Sequence, residues 1–314
     1  MEVYVWSGDW GLPSIEFNCL QLMTLIKISG VQAEIKKVNN PFGSPTGNFP
    51  VFKHCKRKLT KFQDVLTYLK DRNYCPDLNL TSKQLAESFA YRNMIEEKLY
   101  TALRYIWWID KKNYIEMTRP WYSKVIPFPF NYYYPGHIRR ENENIISSLY
   151  SDMEEANIQV EVYKEAEKCL TCLSNRLGDA DFFYGNNPTS LDAIVYGCLA
   201  PLLKAPFPSN VLQNHLKASP NLIKFIMGIT RRYFLRELQE YEKYNQQTEK
   251  NSAKLDIFPN KIRNQIFAGI FATAAMLSYG ILSGIFSLSI TSVGVGDITE
   301  YDEDTEYDNE DSSD

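Results

Sequence analysis

Residues 266–290 read IFAGIFATAAMLSYGILSGIFSLSI, without one Asp, Glu, Lys, Arg or His. No other stretch restricts the fold as tightly. As a helix rising about 1.5 Å per residue it would be roughly 37 Å long, against a hydrocarbon core of about 30 Å. Eleven of its residues are Ile, Leu or Phe, among them Ile266, Phe267, Ile270, Phe271, Leu277, Ile281, Leu282, Ile285 and Phe286. At about −0.3 to −0.6 kcal/mol each, they favour insertion by on the order of 5 kcal/mol, which the Gly, Ser and Thr residues reduce. Apolar side chains fall on every face, so residues 264–290 are predicted to form a single C-terminal transmembrane helix, not a core helix of a soluble domain.

Lys261 and Arg263 flank this stretch on one side, and no basic residue flanks the other. The charge bias therefore predicts a cytosolic N-terminal body and a translocated tail over 291–314. The N-terminus has no signal-peptide pattern, Glu2 stands where myristoylation needs glycine, and no prenylation motif is present, so the apolar stretch is the expected membrane address. Ten of the 38 acidic residues lie between Asp297 and Asp314 with no basic residue among them. That tail is expected to be solvated, or a docking strip for basic partners. Cys19, Cys55, Cys75, Cys169, Cys172 and Cys198 lack the spacing of a disulfide framework and are expected as free thiols.

Upstream, Val3 to Trp6 is a short β-prone run. Pro13 suits a first helical turn, and a helix with Phe17, Leu20 and Ile26 inward is predicted to end at Gly30. Residues 33–38 alternate like an edge strand, a Gly- and Pro-rich loop follows, and Pro50 opens another strand as a candidate cis proline. A helix bearing Phe62, Val65, Leu66 and Leu69 then closes an α/β thioredoxin-like N-terminal domain over 1–74. From 80 to 243 the pattern is all-helical. Thr81 with Gln84 makes a capping box, with Leu85, Phe89, Ile95, Leu99, Leu103 and Ile106 as an apolar stripe behind it. Residues 113–136 are crowded with aromatics and prolines and cannot be one continuous helix. Trp121, Tyr122, Phe128 and Phe130 there are candidate contacts with a partner or membrane surface. Tyr163, Ala166, Leu170, Leu173 and Leu177 restore helical spacing. Thr189 and Asp192 then cap a predicted buried central helix over 193–203. Residues 244–263 read as a polar linker.

The strings WSGDWGLPS (6–14), NPFGSPTG (40–47), WIDKKNY (108–114), PFPFN (127–131), FFYG (182–185) and TSLDA (189–193) resemble the metaxins, a branch with a thioredoxin-like unit and an all-α glutathione-transferase-like C-terminal domain. The resemblance implies a non-enzymatic subunit of the mitochondrial outer membrane sorting and assembly machinery, supporting protein import and insertion of β-barrel proteins. It also implies as partners a second metaxin paralogue in a heterodimer and the β-barrel subunit of that machinery. The body would face the cytosol and the tail the intermembrane space. Two other readings stay open: a mitochondrial adaptor for motor-driven transport or tethering, and a membrane-bound glutathione-dependent transferase.

The transferase reading needs a Glu or Gln followed by Ser to hold the γ-glutamyl end of glutathione, and Lys61 and Phe62 occupy those places. Phe62 has no hydroxyl, and Lys61 would face the ligand's ammonium with a like charge. Tyr4, Ser7 and Ser14 are the available hydroxyls near the first helix, each read as a turn, cap or packing residue. The Cys169–Cys172 pair has redox spacing but lies deep within a predicted helix, so both are read as packing residues. His54, His137 and His215 are isolated, and no catalytic residue, metal or cofactor is expected. The basic window 53–58 falls where two strands should turn and has no interleaved aromatics, so no nucleic acid is expected.

Overall fold

The computed structural model describes residues 1–252 and 261–282. The chain divides into two units, Met1–Asn251 and Ser252–Asp314.

In the first unit, β1 (Glu2–Val5) buries Val3 and Val5 and leaves Glu2 and Tyr4 at the surface, the alternation of a half-covered strand. It pairs in parallel with β2 (Glu34–Lys37), which requires a crossover, supplied by α1 (Phe17–Ile28). Antiparallel pairing with β3 (Val51–His54), and of β3 with β4 (Arg57–Leu59), completes a four-stranded mixed sheet in the order β2-β1-β3-β4. The basic window forms the β3–β4 turn, with exposed Cys55 at φ +54°. The Phe49–Pro50 peptide is cis. Behind the sheet, α2 (Phe62–Lys70) buries Val65, Leu66 and Leu69.

α1 begins later than Pro13 suggests. Glu16 is its N-cap and accepts from the Cys19 N–H at 2.7 Å, so the chain from Pro13 to Glu16 stays outside the helix. Gly30, at φ +67°, follows the end of α1 as predicted.

The capping box of Thr81 and Gln84 starts α3 (Ser82–Met94). A π-helical turn at Ile95–Leu99 leads to α4 (Tyr100–Arg104) and a second at Tyr105–Ile109 follows it. The predicted stripe divides here. Ile95, Leu99, Leu103 and Ile106 are buried, whereas Leu85 and Phe89 are 42% and 56% exposed. Six residues separate Phe89 from Ile95, which puts them on different faces of an α-helix, and the π turns reset the register beyond.

Asp110 caps α5 (Lys111–Asn113) by accepting the Asn113 N–H, and a third π turn at Tyr114–Thr118 runs into α6 (Arg119–Val125). The helix breaks at 126–129, as the prolines require, before α7 (Phe130–Leu149) and α8 (Glu155–Leu177). Tyr163, Ala166, Leu170, Leu173 and Leu177 of α8 are all in the core. α9 (Ser190–Lys204) is the central helix, with every residue from Ser190 to Leu202 buried. α10 (Val211–Lys217), α11 (Pro220–Tyr233) and α12 (Leu235–Ser252) complete the unit.

α12 replaces part of the expected polar linker with helix. Its Glu, Gln and Lys residues are good helix formers, and Arg236 pairs with Glu240 one turn on at 2.9 Å.

In the second unit, α13 (Lys261–Leu282) carries the first part of the predicted span. Ile266, Phe267, Ile270, Phe271 and Leu277 are 56–69% exposed. Among the described residues, no helix is long and apolar enough to cross a membrane. The apolar part described, 266–282, is shorter than the roughly 20 residues a span takes. Ile285, Phe286 and the acidic tail lie outside the described residues.

Candidate functional site

α1 and α9 meet face to face and join the sheet to the helical body. At their contact Tyr100 Oη donates to Gln21 Oε1 at 2.8 Å, and Gln21 Nε2 lies 3.2 Å from Cys198 Sγ. The N-terminal end of α1 opens onto a cavity of about 190 Å³, lined by Glu16, Asn48, Arg104, Trp108, Tyr134 and Glu141 among others. Asn48 of its wall lies two residues before the cis Pro50.

Glu16 occupies that helix terminus itself. Its Oε2 accepts from Cys19 N and its Oε1 from Asn18 Nδ2 at 2.8 Å. Burial pushes its carboxyl above the ordinary range, opposed by the backbone N–H groups of Cys19 and Asn18. Glu16 thus occupies the Cys19 N–H, a helix-end donor that an anion would use. Cys19, fully buried behind it, has its thiol raised well above the usual value by burial and by Glu16, the reverse of an activated nucleophile.

Of the candidate hydroxyls, that of Tyr4 is held by an acid, whereas Ser14 Oγ is buried with no hydrogen-bond partner among the described residues. Tyr4 Oη donates to Glu2 Oε2 at 2.8 Å, and Glu2, also joined to Lys36 and Lys53, is held down to about 2. Ser14 is fully buried beside Cys19. Lys61 is the N-cap of α2 and makes no capping hydrogen bond there with its side chain. Cys169 is buried in mid-α8, its thiol pushed up to about 12 by burial; Cys172, expected to pack, is exposed instead because three residues along a helix carry it past the edge of the buried stripe.

Thr189 and Asp192 form a capping box at the start of α9. Asp192 Oδ2 accepts from both the backbone N–H and the hydroxyl of Thr189 at 2.7 Å, and Oδ1 accepts from Phe183 N at 3.0 Å. Burial lifts Asp192 to about 6 against these donors. Asp77 adds a second clamp, accepting from Ser190 N at 2.7 Å and from its hydroxyl at 2.5 Å.

The four candidate contact residues separate. Trp121 and Tyr122 are buried, Trp121 donating through Nε1 to Asp9 Oδ2 at 2.9 Å and Tyr122 packing edge-on against Trp6 at 5.4 Å. Phe128 and Phe130 reach the surface at 70% and 36% exposure. Sequence reading missed Glu16: its N-cap position depends on where the preceding turn ends, and glutamate is not a usual cap.

A mixed sheet with a cis proline, joined to a mostly helical body through α1 and α9, makes this a protein of the glutathione-transferase-like fold class. The beta-etherase LigF of Sphingobium has a TM-score of 0.51 at 14% identity over 77% of this chain and 98% of that one. A glutathione transferase family member of Pseudomonas fluorescens has the same TM-score and identity over 76% and 91%. At such identity the likeness is one of fold.

Residues 19–139 match the family described as outer mitochondrial membrane transport complex protein, and residues 166–229 match the glutathione S-transferase C-terminal domain. Mouse metaxin-1 is 38% identical over 93% of each chain. Zebrafish metaxin-3 is 37% identical over 74% of this chain and 76% of its own, and the fruit-fly metaxin-1 homologue 30% identical over 96% and 93%. The chain belongs to the metaxin family.

Proposed function

We propose that this metaxin is a non-enzymatic subunit of an outer mitochondrial membrane transport complex, the sorting and assembly machinery, and supports the insertion of β-barrel proteins beside a second metaxin paralogue. The family membership and the transport-complex match support the setting. The observation that carries the non-enzymatic reading is Glu16 on the α1 N-terminus: the place a thiolate would need is filled by the protein's own carboxylate. Lys61 and Phe62 at the start of α2 supply neither the anion nor the hydroxyl that glutathione would require.

Anchoring belongs to residues 264–290, which place the body in the cytosol and 291–314 in the intermembrane space. α13 supports this in two ways. Its apolar side chains are exposed, as suits lipid. The hydroxyls of Thr273 and Ser278 donate back to the carbonyls of Gly269 and Ala274, so they need no outside partner. The sequence continues without a charged residue to Ile290.

The test uses the full chain in mitochondria. Alkaline carbonate should leave it in the membrane pellet, and its depletion should slow β-barrel assembly. Glutathione titrated into the detergent-solubilised chain should give no binding heat. Release into the carbonate supernatant would end the anchoring part, and saturable glutathione binding the non-enzymatic part.

A further inference from the structure

With the ten acids of 297–314 set apart, the chain carries 34 Lys and Arg against 28 Asp and Glu. Seven of those cations and two of those acids, Asp64 and Asp71, fall between Lys53 and Arg72, so one stretch through β3, β4 and α2 supplies five of the six excess positive charges. The fold does not neutralise them. Lys53 pairs with Glu2 at 3.3 Å, whereas Lys56, Arg57, Lys58, Lys61, Lys70 and Arg72 are exposed and form no ion pair among the described residues.

Two of these cations converge. Arg57 of β4 and Arg72, just beyond α2, both lie over the ring of Tyr68, with Cζ 5.9 Å and 3.9 Å from its centroid. Tyr68 is 5% exposed and its hydroxyl is hydrogen-bonded to His54 Nδ1, so the ring is a fixed platform. Contact with a ring face leaves the N–H donors of a guanidinium unmet, and neither Arg57 nor Arg72 donates a hydrogen bond among the described residues. Two like charges held at one ring repel each other, and an anion that accepts from both removes that cost.

We infer that this surface binds an acidic polypeptide segment, with one carboxylate on Arg57 and Arg72 and further acids along Lys56 and Lys58. A carboxylate is the planar acceptor that a guanidinium fork matches. Nucleic acid fits less well, because the buried Tyr68 ring offers no face on which a base could stack. A bilayer also fits less well. No large apolar side chain between Lys53 and Asn73 is exposed to enter its interfacial layer, and a continuous sheet of headgroups would meet exposed Asp64 and Asp71 as well as the cations. The inference goes beyond the proposed function and does not depend on the anchoring.

Cys55 reports on this surface without any substitution: it is exposed in the β3–β4 turn, and exposed Cys172 on α8 is the internal control. The detergent-solubilised full chain is treated with N-ethylmaleimide, with and without a Glu-rich peptide, and both sites are followed by mass spectrometry. At low salt the peptide should slow modification of Cys55 by about threefold or more relative to Cys172. The effect should vanish near ~0.5 M salt, where the screening length falls to about 4 Å. A Lys-rich peptide should leave both rates unchanged. Arg57→Glu with Arg72→Glu should abolish the protection, whereas Lys164→Glu with Lys224→Glu, the same change of charge on α8 and α11, should preserve it. Absent protection, equal slowing at both cysteines, or protection that survives the Arg57 and Arg72 substitutions overturns the inference. So does stronger protection of Cys55 by phosphatidylserine in the micelles or by a single-stranded oligonucleotide, since the occupant would then be a membrane or a nucleic acid.

Discussion

Gly197 lies directly against Gln21: a Cβ on Gly197 would be 2.2 Å from Gln21 Cγ and 2.7 Å from its backbone nitrogen. The first atom is a side chain able to turn aside; the second belongs to α1 and cannot. The contact between α1 and α9, and with it the seat of the sheet on the helical body, depends on hydrogen at this position.

Gly197→Ala is therefore expected to force the two helices apart and destabilise the fold by about 1–3 kcal/mol. Urea denaturation of the detergent-solubilised chain reads this as a lowered midpoint. An unchanged midpoint would mean that α1 and α9 separate without cost.

Asp192 makes a pH prediction. Its folded pKa, about 6, lies above the unfolded value near 3.8, so its contribution is full below the unfolded value and is lost as pH rises through 6. The loss is on the order of 3 kcal/mol. Asp192→Asn removes this titration, so the stability difference between variant and wild type should move in the variant's favour from pH 4 to pH 7, whatever the constant offset from altered hydrogen bonding. Parallel stability curves would place the carboxylate in a more aqueous setting.

Thiol labelling of the folded chain should modify Cys55 and Cys172 and spare Cys19, Cys75, Cys169 and Cys198, which are buried. Mass spectrometry after brief exposure to a maleimide distinguishes the two groups. Rapid modification of Cys19 would contradict the closed environment behind Glu16.

The divided stripe of α3 and its extension predicts two unequal mutations. Leu99→Ala, at a fully buried position, should cost about 2–5 kcal/mol. Phe89→Ser, at an exposed one, should stay within about 0.5 kcal/mol. Comparable thermal shifts for both would show that Phe89 is covered.

Much of this protein follows from neighbours in the chain. The alternation of β1, the capping boxes at Thr81 and Thr189, the proline break before Phe130 and the uncharged run from Ile266 to Ile290 are short-range patterns, set by side-chain direction and backbone donors within one or two turns. Other features arose only when distant segments met. The Gly197–Gln21 contact and the burial of Trp121 and Tyr122 while Phe128 stays outside depend on contacts between residues far apart in the chain. So does the approach of Phe42 to Phe130. The π turns likewise redirect a stripe that spacing alone would have kept straight, since an added residue changes which face meets the core. Local pattern determined which elements form and where they stop. Packing decided which surfaces remain for a partner, because exposure is a property of what lies opposite a residue and not of the residue itself.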